Sequence, residues 1–276
     1  MHYLWAIQCA LNYIEAGDIY QINISKKFSV PWRHASAQLY IRMRAKSPAA
    51  FGAYLGPGLT VDGKVICCIS PELFLHVTGN TVLTRPIKGT RALGATALET
   101  AAARDELESN SKERAELNMI VDLERNDLGR VCDFGSVRVD SPGEIEALPT
   151  LLHRTATVSG RLRPGTTMGE LLEATFPGGS VTGAPKIRAM QLIPQLESQS
   201  RGAYCGAIGW AGLNGGLELN IAIRTAVVDT INGMAHYYAG SGIVADSDPA
   251  REFEETLLKA APFFQAIAEE GSMPCA

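Results

Sequence analysis

The sequence predicts an α+β fold in which antiparallel strands and helices are interspersed. Short β-like runs recur at 51–55, 65–69 and 73–77, and Gly, Pro and Asp residues supply turns between the first two. Helical periodicity occupies longer stretches, at 36–46 and 98–128. Because the strand-like runs follow one another in groups, the pattern disfavours a doubly wound βαβ series.

The first element is an amphipathic helix. Leu4, Ile7, Leu11 and Ile14 recur at helical spacing, and Gly17 ends the pattern. No basic stretch or small-residue cleavage site accompanies it, so we do not expect an export signal. The helix needs a surface against which to pack its apolar face. The other elements expected in the first part of the chain are strands at 19–30 and 81–84.

The second part of the chain alternates turn signals with further elements. An Asn110-x-x-Glu113 capping-box pattern lies within the helical stretch 98–128. Asn214-Gly215-Gly216 is expected to join two paired strands. The predicted strands are 136–140, 153–160, 203–211, 217–228 and 234–239, and the predicted helices are 168–175, 185–196 and 249–268.

Composition excludes several classes of partner. The chain has 276 residues, a net charge of −4 and a pI of about 5.8, which disfavours a nucleic-acid partner. No apolar run approaches the length of a membrane span. The cysteines show neither CxxC nor zinc-finger spacing, so we expect buried, reduced thiols and a cytoplasmic protein. They are Cys9, Cys67, Cys68, Cys132, Cys205 and Cys275.

Two pairs of glutamates are candidates for metal binding. Glu113 and Glu116 lie three residues apart in one predicted helix, and Glu252 and Glu255 do so in another. This spacing places both carboxylates of a pair on one helical face. Facing each other, the pairs would form an oxygen-rich site suited to Mg²⁺. The alternative, two solvated helix faces, stays open on spacing alone.

Lys88 is a candidate nucleophile. It precedes Gly89, and Arg85 and Arg91 lie three residues to either side. Neighbouring cations and burial both favour the neutral amine that a nucleophile requires. An exposed lysine at a strand end is the alternative.

Two glycine-rich turns are candidate anion sites. The turn at 176–186 is not a P-loop, because Gly183 is followed by Ala184-Pro185 instead of Lys and Ser or Thr. It still opens a helix whose N-terminus, with Thr182 as a possible cap, offers free backbone N–H groups. Gly240-Ser241-Gly242 is a second candidate. Structural turns are the alternative for both.

Nine motifs occur in one order along nearly the whole chain. They are 18–23 (DIYQIN), 70–72 (SPE), 85–90 (RPIKGT), 112–116 (KERAE), 120–130 (IVDLERNDLGR), 176–186 (FPGGSVTGAPK), 223–225 (IRT), 240–247 (GSGIVADS) and 252–256 (EFEET). In these motifs the chain resembles the chorismate-binding family, which contains anthranilate, aminodeoxychorismate, isochorismate and salicylate synthases. The resemblance implies one catalytic domain over 1–276, with a β-sandwich core and helices packed outside.

Three positions favour the aminodeoxychorismate branch of that family. Lys88 matches the lysine that aminodeoxychorismate synthases have at this position, whereas anthranilate synthases usually have alanine there. Gln21 stands where isochorismate and salicylate synthases carry a water-activating lysine. Asn118 follows Glu116-Leu117, and the histidine typical of anthranilate synthases is absent at this point. An anthranilate synthase with an unusual lysine stays an alternative, as does a truncated chain that binds chorismate or an amidotransferase without catalysis.

The resemblance also implies roles for individual residues. Lys88 would attack C2 of chorismate, Glu72 would protonate the departing hydroxyl, and His153, otherwise typical of a structural histidine, would orient the ring. Mg²⁺ would be held by Glu116 and Glu255 with help from Glu113 and Glu252, against the ring carboxylate. The implied substrate-binding residues are Gly89, Thr90, Thr182, Gly183, Tyr204, Arg224, Gly240, Ser241, Gly242 and Lys259.

The resemblance has two departures and one implied partner. Ala92-Leu93 follows Arg91 where relatives usually have Pro-Arg, so one basic residue near the site is missing. The N-terminal portion that completes the β-sandwich in relatives, and in some binds tryptophan, is not part of this sequence. No glutaminase Cys-His-Glu unit is recognisable, so ammonia is expected from a separate glutamine amidotransferase subunit or from free ammonium.

Overall fold

A computed structural model describes residues 2–60, 62–147 and 151–268. The helices are α1 (His2–Glu15), α2 (Ser36–Lys46), α3 (Ala97–Ser109), α4 (Ser111–Gly129), α5 (Met168–Thr175), α6 (Lys186–Leu196) and α7 (Pro249–Ala268). The strands are β1 (Gln21–Pro31), β2 (Phe51–Leu55), β3 (Lys64–Ser70), β4 (Leu73–Thr78), β5 (Thr81–Arg85), β6 (Ile87–Ala92), β7 (Arg138–Ala147), β8 (Leu151–Arg161), β9 (Gly183–Ala184), β10 (Ala207–Ala211), β11 (Leu217–Ile221), β12 (Thr225–Asp229) and β13 (Met234–Ile243).

The chain divides into two compact units. Unit 1 comprises Met1–Pro71, Val181–Ile208 and Ile221–Ala276, and unit 2 comprises Glu72–Ser180 and Gly209–Asn220. The assignment of one catalytic domain to 1–276 concerns function and stays a prediction.

Unit 1 is built on an antiparallel sheet with the strand order β2-β3-β12-β13-β1-β9. One apolar cluster joins α2 and α7 to the middle strands through Trp32, Tyr237 and Phe263. A second joins α1 and α6 to β1 through Ile7 and Ile22. The amphipathic helix expected at the start of the chain therefore finds its packing surface on β1 and α6. Each fully buried apolar side chain contributes roughly 1.5–3 kcal/mol relative to exposure.

Unit 2 is built on a second antiparallel sheet. Its strand order is β10-β11-β4-β5-β8-β6, and β7 also pairs with β8. Helices α3 and α4 contact β6, β7 and β8. Leu107, Leu117 and Ile120 anchor these helices as fully buried side chains. This packing brings the polar face of α4 next to β6, which carries Lys88.

The predicted α+β class is confirmed, and the differences lie at element boundaries. The helical stretch at 98–128 is two helices, because Asn110 takes extended backbone angles and caps the second. The strand predicted at 217–228 is wrong as one element: β11 and β12 belong to different sheets. The break falls at Arg224, whose φ of 48° is incompatible with a continuous strand. Lys88 lies within β6, and the strand predicted from 203 begins at Ala207.

The described cysteines are free thiols, as expected. Cys67, Cys68, Cys132 and Cys205 are buried and Cys9 is half-buried, whereas Cys275 lies outside the described residues. Within the described ranges, no helix is long and apolar enough to cross a membrane.

Candidate active site

Helix α4 in unit 2 presents the first glutamate pair. The Asn110 side chain accepts a hydrogen bond from the Glu113 backbone N–H at 3.0 Å, which starts the helix at a fixed residue. Glu113 and Glu116 follow on one face, with side chains that are 22% and 15% exposed. Both are too sheltered to be an ordinary solvated face.

Lys88 lies opposite this pair. Its Nζ atom is 3.7 Å from Glu116 Oε2, and its side chain is 14% exposed. The neighbouring cations expected to favour a neutral amine have carboxylate partners of their own. Arg85 pairs with Glu146 at 3.1 Å. The cations around Lys88 are therefore paired with carboxylates, and Lys88 itself lies beside one.

Arg91 fixes Glu113. Its Nη1 atom donates to Glu113 Oε1 at 3.0 Å and its Nε atom to Glu106 Oε1 at 3.1 Å. Partial burial acts to lower the pKa of Arg91, but the hydrogen bonds with Glu113 and Glu106 outweigh it and raise that pKa. Arg91 therefore stays cationic and holds one oxygen of the Glu113 carboxylate.

The other Glu113 oxygen faces β6. Gly89 has a φ of 85°, and a Cβ added to it would lie 2.5 Å from Glu113 Oε2. That oxygen is buried and has no hydrogen-bond partner within the described ranges. A buried carboxylate oxygen without a donor is unfavourable unless something else neutralises it. Glycine at position 89 provides the room for its approach.

His153 and Thr90 are brought together by the pairing of β8 with β6. The two residues are register partners, and Thr90 Oγ1 lies 3.0 Å from His153 Nδ1. His153 is 1% exposed. Glu72, the predicted acid, is buried at the start of unit 2, directly before β4. Unit 2 thus assembles the residues predicted for covalent chemistry and one of the two glutamate pairs.

The second glutamate pair lies on α7 in unit 1. Glu252 is buried, and its Oε1 atom accepts a hydrogen bond from Ser247 Oγ at 2.7 Å. Glu255 Oε1 lies 2.6 Å from Lys259 Nζ, which also donates to the Gly240 carbonyl oxygen at 3.0 Å. One glutamate is therefore fixed by a hydroxyl and the other is linked by a lysine to β13.

The turn predicted at Gly240-Ser241-Gly242 is wrong, because this segment lies inside β13. It pairs with Ser25, Ile24 and Asn23 of β1. The Ser241 hydroxyl is buried and lies 3.3 Å from the Tyr3 hydroxyl. The Ser241 side chain therefore contacts another side chain of the protein. The ligand contact predicted for this segment is through its backbone amides.

Tyr204 and Arg224 lie in neighbouring turns of unit 1. Tyr204 is buried and stacks on Tyr238 with ring centroids 5.4 Å apart. Burial raises the pKa of its hydroxyl well above the ordinary value, so Tyr204 is a neutral phenol. Cys205 N donates to Ala222 O at 2.9 Å, which joins the two turns. Arg224 donates to Ser47 Oγ at 3.1 Å.

Thr182 and Gly183 lie beside the first residues of β1. The expected cap at Thr182 is wrong, because the N-cap of α6 is Pro185, which makes no side-chain hydrogen bond. Asn23 N donates to Thr182 O at 2.7 Å, and Gly183 pairs with Ile22. Gln21 is fully buried, and neither polar atom of its carboxamide has a hydrogen-bond partner in the described part of the chain. This is a buried polar group of the kind that water or a ligand usually satisfies.

The metal prediction stays a prediction, because the two glutamate pairs belong to different units. Among the described residues, no group of three or more His, Cys, Asp or Glu side chains is arranged to hold a metal ion. The α4 pair nevertheless fits a hard cation, since Glu113 Oε2 is a buried carboxylate oxygen without a donor.

Several residues in these contacts were not among the predicted site residues. Ser247 holds Glu252, Arg91 holds Glu113, and Tyr3 contacts Ser241. Ser247 precedes α7 as a serine between two aspartates, a signal typical of a helix start. Tyr3 lies 238 residues from Ser241, so no local signal could have joined them.

Comparison with known proteins identifies the family. The family model for chorismate-binding enzymes matches residues 1–265. The chain belongs to the chorismate-binding enzyme family. The expected resemblance to this family is confirmed.

The relatives of this chain divide between two activities. The anthranilate synthase component 1 of Streptomyces coelicolor is 43% identical over 258 residues, covering 94% of the chain and 50% of the relative. The aminodeoxychorismate synthase component 1 of Bacillus subtilis is 42% identical over 262 residues, covering 95% of the chain and 54% of the relative. The crystal structure of anthranilate synthase component I from Streptococcus pneumoniae matches with a TM-score of 0.84 at 37% identity, covering 95% of the chain and 57% of that structure. The chain thus spans about half the length of these relatives, and the predicted family fold is confirmed.

Proposed function

We propose that this chain carries the aminodeoxychorismate synthase component I activity, the conversion of chorismate and ammonia to 4-amino-4-deoxychorismate. The observation that carries the proposal is the position of Lys88. It is a sheltered lysine on β6, 3.7 Å from a glutamate that belongs to the proposed metal-binding pair. An exposed strand-end lysine would have neither this burial nor this partner.

The residues of unit 1 are proposed to hold the enolpyruvyl carboxylate. Arg224 supplies a guanidinium that can bind a carboxylate in a bidentate manner. Tyr204, a neutral phenol, is a hydrogen-bond donor. Backbone amides near Gly242 and the Lys259 ammonium complete the set, and Thr182 and Gly183 are proposed as further ligand contacts.

The residues of unit 2 are proposed to carry the covalent steps. The neutral amine of Lys88 attacks C2 of chorismate, the C1=C2 and C5=C6 double bonds shift to C1=C6 and C4=C5, and the C4 hydroxyl leaves as water with a proton from Glu72. Ammonia then adds at C4, the two double bonds shift back, Lys88 departs from C2 with its bonding electrons, and a proton from the new C4 ammonium returns to Glu72. The bond between Thr90 and His153 holds the imidazole in one orientation, from which His153 orients the ring or its hydroxyl.

Mg²⁺ is proposed as the cofactor. When bound, it supplies a positive charge against the ring carboxylate of chorismate. Glu116 and Glu113 on α4, and Glu255 and Glu252 on α7, are the proposed ligands. In the α4 pair, Arg91 occupies Glu113 Oε1 and leaves Oε2 for the cation.

Ammonia is proposed to come from a glutamine amidotransferase subunit or from free ammonium. The relatives are named as component 1 of their synthases, which supports a second component. Folate biosynthesis in the cytoplasm is the setting that we propose for the product. The free thiols of the described cysteines agree with a reducing compartment.

Anthranilate synthase is a second candidate. The 43% identity to the Streptomyces coelicolor relative favours it as strongly as the Bacillus subtilis relative favours the first. The two candidates differ at Lys88, which anthranilate chemistry does not require.

Replacement of Lys88 tests the proposal. Lys88→Ala is expected to reduce the rate of chorismate amination with ammonium and Mg²⁺ by at least about 100-fold, the scale on which loss of a catalytic group acts. Lys64→Ala is the matched control, because Lys64 is an exposed lysine and the first residue of β3. Turnover by Lys88→Ala at the control rate would remove Lys88 from the mechanism.

A further inference from the structure

Unit 1 contains a buried ion pair whose two residues have no role in the site proposed above. Glu197 is the C-cap of α6, and Arg201 follows it by four residues. Arg201 Nη2 lies 2.6 Å from Glu197 Oε1, and Arg201 Nε donates to Glu197 Oε2 at 2.9 Å. The side chains are only 13% and 4% exposed. This is the planar, two-point geometry that arginine makes with a carboxylate and that lysine cannot reproduce.

The pair joins three separate segments of the chain. Glu197 Oε1 accepts hydrogen bonds from the backbone N–H and the hydroxyl of Ser25, at 2.8 and 2.9 Å. Arg201 Nη1 donates to Val181 O, and its Nη2 donates to Asn23 O, both at 2.7 Å. Strand β1, the turn before β9 and the segment after α6 are therefore fixed to one another through two side chains.

Each of these segments carries residues proposed to bind the substrate. Asn23 and Ser25 are register partners of Gly242 and Gly240 on β13. Val181 directly precedes Thr182 and Gly183. Tyr204 N donates to Arg201 O at 3.1 Å, and the guanidinium lies 5.9 Å from the centre of the Tyr204 ring.

Stability alone is a poor reason for such a pair. Burying two charges costs desolvation energy that their attraction only partly offsets, and apolar residues of similar volume often serve as well. Burial acts to lower the pKa of Arg201, but Cys205 and Glu197 raise it above its ordinary value, so the guanidinium stays charged. What an apolar pair would not supply is the set of directed hydrogen bonds to Asn23, Ser25 and Val181.

We propose that Glu197 and Arg201 are positioning residues for the chorismate site, which set the relative placement of Tyr204, the Thr182–Gly183 turn and the β13 backbone. This inference rests on the proposed function, because it takes chorismate as the ligand. Neither side chain needs to touch the substrate. Their effect belongs mainly to substrate affinity, since the covalent steps are proposed for residues of unit 2.

Two variants separate positioning from stability. Arg201→Lys keeps the charge and loses the two-point geometry. The double variant Glu197→Leu/Arg201→Met removes both charges, so its thermal stability is expected to recover towards the wild type, while the hydrogen bonds stay lost. Arg188→Lys is the matched control, because Arg188 pairs with Asp18 on the exposed side of α6 at 3.1 Å.

Chorismate affinity is measured by titration calorimetry in the presence of Mg²⁺, together with KM and kcat. We expect Arg201→Lys and the double variant to raise Kd and KM about tenfold or more, the scale of a small misplacement of binding groups, with kcat changed by less than about twofold. Arg188→Lys is expected to bind as the wild type does. Recovery of wild-type affinity in the double variant would mean that the pair is merely structural, and would overturn the inference.

Backbone hydrogen exchange gives a readout that needs neither ligand nor turnover. Arg201→Lys is expected to speed exchange at residues 181–183 and 203–206, and Arg188→Lys is not. Unchanged exchange there would overturn the inference whatever the enzyme makes. A wild-type chain that binds chorismate but forms no aminated product would contradict the proposed function alone, because binding and exchange still decide the role of Arg201.

Discussion

Lys88 is the residue on which the proposed chemistry depends, and its Nζ atom lies 3.7 Å from Glu116 Oε2. A cation that binds Glu116 must compete with Lys88 for the same oxygen atoms. Two sheltered cations near one carboxylate also repel each other more strongly than they would in water. We therefore expect the Mg²⁺ affinity to depend on Lys88 through the Glu116 side chain.

Removal of the Lys88 charge is expected to tighten Mg²⁺ binding. Lys88→Met should lower the Mg²⁺ dissociation constant about threefold to tenfold, because roughly 1 kcal/mol of competing attraction at Glu116 is lost. Calorimetry without chorismate measures this, and Lys64→Met is expected to bind Mg²⁺ as the wild type does. Weaker binding by Lys88→Met would contradict the assignment of Glu116 as a metal ligand.

The buried thiols give a pH prediction. Burial raises the pKa of Cys67 and of Cys205 from 9.0 to about 12 in each case. Since the unfolded chain loses these protons first, their contribution to stability is complete below pH 9.0 and is lost as the pH rises towards 12. Native protein at pH 9.5 should therefore be alkylated slowly at both thiols, and urea-unfolded protein rapidly. Rapid alkylation of the native thiols would show that they are not buried.

At the scale of elements, Asn110 decides where α4 begins. It ends α3, caps α4 through the Glu113 N–H, and so sets the orientation of the first glutamate pair. The capping pattern was readable from the sequence. The reach of Glu113 to Arg91 was not, because 22 residues separate the two.

Asn110→Ala is expected to cost about 1 kcal/mol of unfolding free energy and to weaken Mg²⁺ binding. Thr96→Ala is the matched control, since the Thr96 side chain also accepts a hydrogen bond from the N–H three residues on, here that of Glu99, and it caps α3 instead of α4. A similar loss of stability is expected from both, measured by urea denaturation, but weaker Mg²⁺ binding only from Asn110→Ala. If the two variants bound Mg²⁺ equally well, the Asn110 cap would have no influence on the proposed metal ligands.

Gly183 in β9 pairs with Ile22 in β1 at a position where only glycine fits. Its φ is 157°, and an added Cβ would lie 2.2 Å from the Gln21 carbonyl oxygen. Gly183→Ala is expected to lose about 3–4 kcal/mol of unfolding free energy by displacing β9. Gly202→Ala, with a φ of 60° and open space around it, should lose about 1 kcal/mol. Equal losses would mean that backbone strain alone, without the contact at β1, sets the cost.

At the scale of the whole molecule, the sequence predicts the fold class and most elements because the apolar patterns are regular. Helices α2 and α5 begin and end at the predicted residues. The break between β11 and β12 escapes prediction, because apolar alternation runs through Ile221 and Ile223. The positive φ falls on Arg224 instead of a glycine, so no turn residue marks it.

The site is less predictable than the fold. Motif order identifies the family, and the roles of individual residues are proposed from their places in those motifs. The contacts that hold them are long-range: Tyr3 with Ser241 and Arg201 with Asn23 join residues 238 and 178 positions apart. Such partners depend on strand register, which a single sequence does not specify at this distance.

The most direct measurement is the mass of the product that the purified chain forms from chorismate, Mg²⁺ and ¹⁵N-labelled ammonium. The account predicts one labelled product that retains its enolpyruvyl group, without release of pyruvate. Labelled anthranilate accompanied by an equal amount of pyruvate would contradict it and would remove Lys88 from the chemistry.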